Sequence, residues 1–416
     1  MPMIKRNLQA IVSQRMSDEP VVLIEGPRTV GKSELLKALA KEHGAEIIDL
    51  DDLPTREAAD KDPTTMLGGT PPVFVDEYQK VPKILDVVKS RLTQNASPGQ
   101  FILTGSTRHD SLPQAAQSLT GRLDRVRLYP LSQAEIEGTN KNVIADLISG
   151  TNSIATPDLS STTREDYIQR IVMGGLPMAM GRSITSRSRW FDSYVEMTLA
   201  RDVLDISKVR RPAKLKEVLE KLAGQTAQVL NLNNVSREVG VNAELVSNYT
   251  TLLEAVFLIL RLPAWGTTLT ARSSSNPKIH VMDSGVAARL LRVTPEKLAK
   301  RHPTALTELG HLLETFVVGE LMRQTSWIDG IAGIGHWRTH DGAEVDFVVE
   351  SDEGSVIAFE VKTGAQVSNN ELEHLRTLRN KIGPSFVAGV ALYLGQRSYN
   401  AEDRIHVMPV DRLWLP

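Results

Sequence analysis

The chain contains no cysteine. That single absence excludes disulfides, thiolate metal sites and cysteine nucleophiles together. Net charge is almost missing as well, since 48 Lys and Arg against 50 Asp and Glu leave a formal −2. Any nucleic-acid surface must therefore be a local patch rather than a global basic field. Long apolar runs are also lacking. The most apolar stretch, Ala255 to Leu260, is bracketed by Glu254 and Arg261 and is far too short to cross a bilayer. No apolar segment follows Met1 to Arg6, so a secretory signal is not expected. The expectation is a cytoplasmic protein with no membrane partner.

What is present is an ordinary globular composition, 41% hydrophobic and 24% charged over 416 residues, enough for roughly two to four domains. Its most informative segment is Gly26, Pro27, Arg28, Thr29, Val30, Gly31, Lys32 and Ser33. These fit G-x-x-x-x-G-K-[ST]. The apolar run Val21 to Ile24 precedes them as a buried strand, and a helix opening at Ser33 and Glu34 follows. Glycines let backbone N–H groups close around phosphates, Lys32 reaches the β/γ-phosphates, and the Ser33 hydroxyl holds Mg2+. The pattern predicts binding of ATP or a similar nucleotide.

A second element adds hydrolysis. The strand Val73 to Val75 runs into Asp76 and Glu77. Asp76 is placed to hold Mg2+ through water, and Glu77 to polarise the attacking water. A third strand, Phe101 to Leu103, ends in Thr104, Gly105 and Ser106, and Ser106 is the candidate γ-phosphate contact.

Strands and helices alternate up to about residue 137, the pattern of an α/β unit with a parallel sheet covered on both faces. Four units are expected: the P-loop core at 1–148, a helical lid and linker at 149–212 that includes the polar stretch Ser149 to Thr163, a module at 213–304, and a second α/β unit at 305–416.

Taken in order, several strings resemble a bacterial and archaeal group of AAA-type ATPases. They are the P-loop itself, Asp49 to Asp52, Val75 to Pro82, Leu103 to Ser106, Ser118 to Arg122, Leu128 to Leu131, Gly174 to Pro177, Pro277 to Gly285 and Glu344 to Asp346. Members carry a C-terminal domain, once of unknown function, that is similar to the restriction-endonuclease fold. The likeness covers nearly the whole chain; only the P-loop is diagnostic alone, and the order of the rest makes it specific.

The resemblance implies a role for Arg122, which precedes the strand Arg125 to Tyr129. In AAA ATPases the residue at this place faces the γ-phosphate of a neighbouring subunit, where an arginine neutralises transition-state charge. A solvated arginine or an internal salt bridge is the alternative, and Arg125 is the reserve candidate. The trans role requires a homo-oligomer, for which a ring is one form.

Asn234 to Thr250 fits helix, tight turn at Gly240, second helix, with Val235, Val239, Leu245 and Val246 as the shared seam. Asn242 caps the second helix and leaves Glu244, Ser247, Asn248 and Thr251 on its open face. The following segment leads into a β-wing that returns over Ile279 to Met282. Lys208, Arg210, Arg211, Lys214, Lys216 and Lys221 are candidate phosphate contacts, although the recognition face is not basic. This is a winged helix, read as a DNA contact or, alternatively, as a protein-contact and lid module.

Near the C-terminus, Glu314 on a helix, Asp346, and the strand-borne pair Glu360 and Lys362 resemble the nuclease constellation. Asp346 and Glu360 would hold Mg2+, Lys362 would orient or deprotonate water on the same strand face, and Glu314 would complete the shell. DNA binding without cleavage, or scaffolding, is the alternative. The leading expectation is a DNA-associated ATPase that moves or remodels DNA, branched recombination or repair intermediates such as Holliday junctions being one candidate substrate. An ATP-dependent endonuclease and an ATP-controlled DNA-binding switch are the competing readings.

Overall fold

The computed structural model describes residues 4–111, 119, 121–150, 156–203, 207, 212–268, 276–300 and 302–416. Lys208, Arg210 and Arg211 lie outside them, as do Ser118 and Thr120 of the Ser118 to Arg122 string; the sequence also suggests a helix from Asp110 to Leu119, most of which lies outside them.

The protein is a mixed α/β molecule. Its N-terminal sheet contains β1 (Val21–Glu25), β2 (Ile47–Asp49), β3 (Val73–Asp76), β4 (Phe101–Gly105) and β5 (Leu123–Arg127), all parallel, in the order β2-β3-β4-β1-β5. All five residues of β1 are buried, as a strand covered on both faces requires. Alternation sends Val22 and Ile24 to one face, against the helices Leu8–Asp18 and Lys32–Glu42, and Val21 and Leu23 to the other, against the helix Ile84–Gln94. The chain leaves β1 toward β2, β3 and β4, and returns on its other side as β5. The C-terminal end of β1 is thus a topological switch point, where open α/β sheets bind ligands.

Next come the helices Arg164–Met173, started by a capping box of Thr163 and Asp166, and Ile184–Met197. The latter continues into a π-helical turn, Thr198–Asp202. A helix (Pro212–Ala223), β6 (Gln228–Val229), two helices (Leu232–Val239 and Ala243–Ala255), β7 (Ile259–Leu262) and β8 (Lys278–Val281) then follow. Strand order is β6-β8-β7. Gly240 closes the inter-helix turn at φ 71°, and Asn242 accepts the Leu245 N–H as N-cap. Helix, strand, two helices and an antiparallel hairpin is winged-helix topology. Val235, Val239 and Val246 are buried in its seam, and Leu245 is half-buried beside them.

The C-terminal sheet is mixed, in the order β13-β14-β12-β11-β10-β9. Its strands are β9 (Ile331–Arg338), β10 (Glu344–Ser351), β11 (Val356–Lys362), β12 (Phe386–Tyr393), β13 (Tyr399–Glu402) and β14 (Ile405–Pro409). The long helix Pro303–Thr325 packs on one face through Leu312, Leu313, Phe316 and Val317. The helix Glu373–Ile382 covers the other face through Leu375 and Leu378. One apolar core runs without a break from Tyr129 through the winged helix to Trp414, so the units expected at 213–304 and 305–416 share their interior. Among the described residues no helix is long and apolar enough to cross a membrane.

Candidate functional site

The P-loop lies at the switch point because its glycines let it. A Cβ on Gly26 would stand 2.2 Å from the Leu128 carbonyl oxygen, and Gly31 takes φ 101° as the N-cap of the helix Lys32–Glu42. Thr29 and Glu77 also take positive φ, at 57° and 54°. Non-glycine residues rarely hold that conformation, and it gathers at functional sites.

Lys32 is 4% exposed and donates to the Gly26 and Pro27 carbonyls at 3.0 and 2.9 Å, with Glu77 Oε1 at 3.8 Å. Burial holds its pKa below the ordinary value, against the opposing pull of Glu77 and Asp76. Asp76 and Glu77 are buried at the C-terminal edge of β3. The Thr104 hydroxyl donates to Asp76 Oδ1 and accepts the Glu77 N–H at 3.1 Å. Ser106 Oγ donates to Glu77 Oε2 at 3.0 Å, and Gln79 Nε2 donates to both Ser106 and Glu77. Ser106 therefore holds the candidate base, a relation the sequence reading did not anticipate. The Ser33 hydroxyl and the buried Asp76 carboxylate are hard oxygen donors, the chemistry that suits Mg2+. The Glu34 side chain turns outward to Lys37 at 2.8 Å, leaving only its backbone to the loop.

Two arginines fix this loop from afar. Arg6 is 8% exposed and donates to the Val30 and Tyr129 carbonyls, each at 2.7 Å, and to Glu135 at 2.9 Å. Arg28 donates to Asp202, on the π-helical turn, at 2.6 Å. Neither Arg6 nor Asp202 belongs to a motif, so local pattern had no means of finding them.

Arg122 precedes β5, beside the level of Val21, whereas the P-loop follows Glu25 at the other end of β1. A full strand length, roughly 16 Å, separates it from its own phosphate site. It is half-buried and donates to Thr93 Oγ1 at 3.2 Å. The reserve candidate Arg125 is exposed and pairs with Asp110 at 3.4 Å.

In the winged helix, Glu244, Asn248 and Thr251 are exposed on the second helix and Ser247 is half-buried. The described lysines near it are paired: Lys214 with Glu217, Lys216 with Glu196, and Lys221 with Glu238. The wing is engaged by the C-terminal sheet. Trp265 N donates to the His336 carbonyl at 2.7 Å, His336 N to the Pro263 carbonyl at 2.9 Å, and Trp265 Nε1 to Glu350 at 2.9 Å.

The C-terminal cluster does assemble, but with an unexpected member. The register that pairs Phe347 with Phe359 sets Asp346 beside Glu360, and Glu314 approaches from the long helix. Between Glu314 and Asp346 sits the ammonium of Lys278, from β8. It is 1% exposed and lies 2.7 Å from Glu314, 2.9 Å from Asp346 and 2.5 Å from Glu344. Glu360 Oε1 is taken by Lys362 at 2.6 Å and His374 at 3.3 Å, and Asp346 Oδ2 accepts the Val361 N–H at 2.9 Å. Among the described residues no group of three or more His, Asp or Glu side chains is arranged to hold a metal ion. Asp346 and Glu360, expected to hold Mg2+ with Glu314 completing the shell, are thus brought together, with the Lys278 ammonium standing between Glu314 and Asp346.

With this geometry in view, family models divide the chain in three. Residues 18–137 match the AAA domain. Residues 164–297 match a domain of unknown function (DUF8612), and 309–413 match another (DUF4143). Uncharacterized proteins of Mycobacterium tuberculosis and Mycobacterium bovis are each 25% identical over 413 residues, covering 98% of this chain and 84% of theirs. Among solved structures, a Walker-type ATPase of Pyrococcus abyssi is similar at a TM-score of 0.45 and 14% identity, over 70% of this chain and 96% of that one. The RuvB Holliday junction branch migration motor of Thermotoga maritima follows at 0.29 and 17%, over 62% of this chain and 89% of that one.

Proposed function

We propose that this protein is an ATPase whose hydrolytic centre is the group Lys32, Asp76 and Glu77. The observation that carries the reading is their convergence at the C-terminal ends of β1 and β3, the parallel strands on either side of β4, inside the segment that matches the AAA domain. Lys32 places a point charge where the β/γ-phosphates would lie. Ser33 and Asp76 hold Mg2+, which when bound neutralises phosphate charge. Glu77, steadied by Ser106 and Gln79, polarises the attacking water. Arg122 stands too far from its own P-loop to act there and serves a neighbouring subunit in a homo-oligomer, a ring being one closed form. Phosphate release from ATP tests the core reading: wild type turns over and Lys32→Ala does not. Equal turnover in both would remove it.

A second reading, that the ATPase works on DNA, rests on the open second helix of the winged helix. Against it stand Glu244 on that face, the paired lysines and the wing engaged by β9 and β10. Gel shifts on linear, forked and four-way duplexes, with and without ATP, decide this reading. No binding to any of them rejects the DNA partner and leaves the ATPase intact.

A further inference from the structure

We infer that Lys278 is the resident cation of the C-terminal carboxylate cluster, making the cluster an ion lock between the winged-helix hairpin and the C-terminal sheet that keeps divalent metal out. An ammonium has three donors. Those of Lys278 face three carboxylates from two elements, Glu314 on the long helix and Glu344 and Asp346 on β10. Three carboxylates this close cannot all be charged without a cation among them. The chain supplies one from a separate unit, on a buried strand, where water does not compete. Elsewhere in the cluster Asp346 Oδ2 takes a backbone N–H, and Glu360 Oε1 is turned to Lys362 and His374 while its Oε2 is buried without a hydrogen-bond partner among the described residues.

The lock sits where two stiff elements leave for the ATPase core. β8 runs from Lys278 toward Asp283, whose carboxylate accepts the Gly175 N–H at 2.7 Å and the Val286 N–H at 3.0 Å. The Gly175 carbonyl in turn accepts the Leu131 N–H at 2.7 Å. The long helix runs from Glu314 to Glu320, which accepts the Gln133 N–H at 2.9 Å, and to Arg323, which donates to the Pro130 carbonyl at 2.6 Å. Both routes end at residues 130–133, just beyond β5. The lock therefore braces the C-terminal sheet against the ATPase core, and the role stands whether or not the core hydrolyses ATP.

The test is Mn2+ titration of the full-length protein without nucleotide, followed by electron paramagnetic resonance. Wild type and Asp346→Asn should bind Mn2+ identically, because the cluster takes none. Lys278→Met, which keeps the stem and removes the charge, should gain one site at least about tenfold tighter than any in wild type. Adding Asp346→Asn to Lys278→Met should abolish that site. A wild-type Mn2+ site lost in Asp346→Asn overturns the inference, as does a folded Lys278→Met with no new site. Lys278→Arg, which keeps the charge, guards against loss of folding: it should stay folded and exclude Mn2+ as wild type does, and a new Asp346-dependent site in it would also overturn the inference.

Discussion

Arg28 in the P-loop and Asp202 in the π-helical turn are bound to each other across 174 residues, by hydrogen bonds of 2.6 Å and an ion pair of 2.5 Å. Asp202 is 2% exposed. π-Helical turns recur at functional sites because they re-aim a side chain that a regular helix would turn away. Here the turn ends the helix Ile184–Met197, so the pair links the phosphate loop to the helical unit between the core and the winged helix.

Asp202 places a negative charge close to where a nucleotide's phosphates would sit, and its field reaches Lys32. Removing it should favour anion binding. Asp202→Asn is therefore expected to bind ATP a few times more tightly, by roughly 0.5–1 kcal/mol, while Arg28→Ala binds it more weakly. Titration with a fluorescent ATP analogue measures both. Equal weakening in the two variants would show that the pair only holds the loop in shape.

The Ser106–Glu77 hydrogen bond ranks two further variants. Glu77→Gln keeps the shape and loses the proton acceptor, so ATP should stay bound while turnover falls by about 100-fold or more. Ser106→Ala leaves the base in place with one support fewer, and turnover should fall severalfold with nucleotide affinity unchanged. Wild-type turnover in Glu77→Gln would sink its role as base.

Arg122 separates assembly from chemistry. Arg122→Ala and Lys32→Ala should each be nearly inactive alone, yet regain part of the turnover when mixed, because hybrid interfaces join an intact P-loop to an intact arginine. If the mixture stays as inactive as its components, or if Arg122→Ala alone keeps full turnover, the trans role is gone.

The core was legible because its chemistry is local. Lys32, Ser33, Asp76 and Glu77 stand at fixed offsets from strands whose apolar runs announce them, and the helix-turn-helix shows itself through Gly240 and Asn242. Long-range partners left no such trace. Asp202 reaches Arg28 from a turn with no motif, and Arg6 holds Val30 from a segment with none either. One member of the C-terminal cluster went unseen for the same reason. Glu314, Asp346, Glu360 and Lys362 do converge, but the ammonium between Glu314 and Asp346 comes from Lys278, 68 residues before Asp346. Spacing can bring carboxylates together; it does not reveal which cation stands among them.

Glu320 offers a prediction with a fixed pH window. It is 1% exposed on the long helix, where it accepts from the Gln133 N–H and pairs with Arg323 at 3.2 Å. Burial outweighs the Arg323 charge and raises its pKa to about 7. A carboxyl raised in the folded state contributes stability that is fully present below its unfolded value, about 4.3, and is lost as pH rises through about 7. Glu320→Gln mimics the protonated form at every pH. The two proteins should melt at similar temperatures near or below about pH 4. By pH 8 wild type should fall behind the variant by an amount corresponding to at most roughly 4 kcal/mol. Thermal melts of both proteins across that range measure the gap. A gap that does not change with pH, or one that shrinks as pH rises, would mean that Glu320 is ionised throughout and that Arg323 outweighs burial.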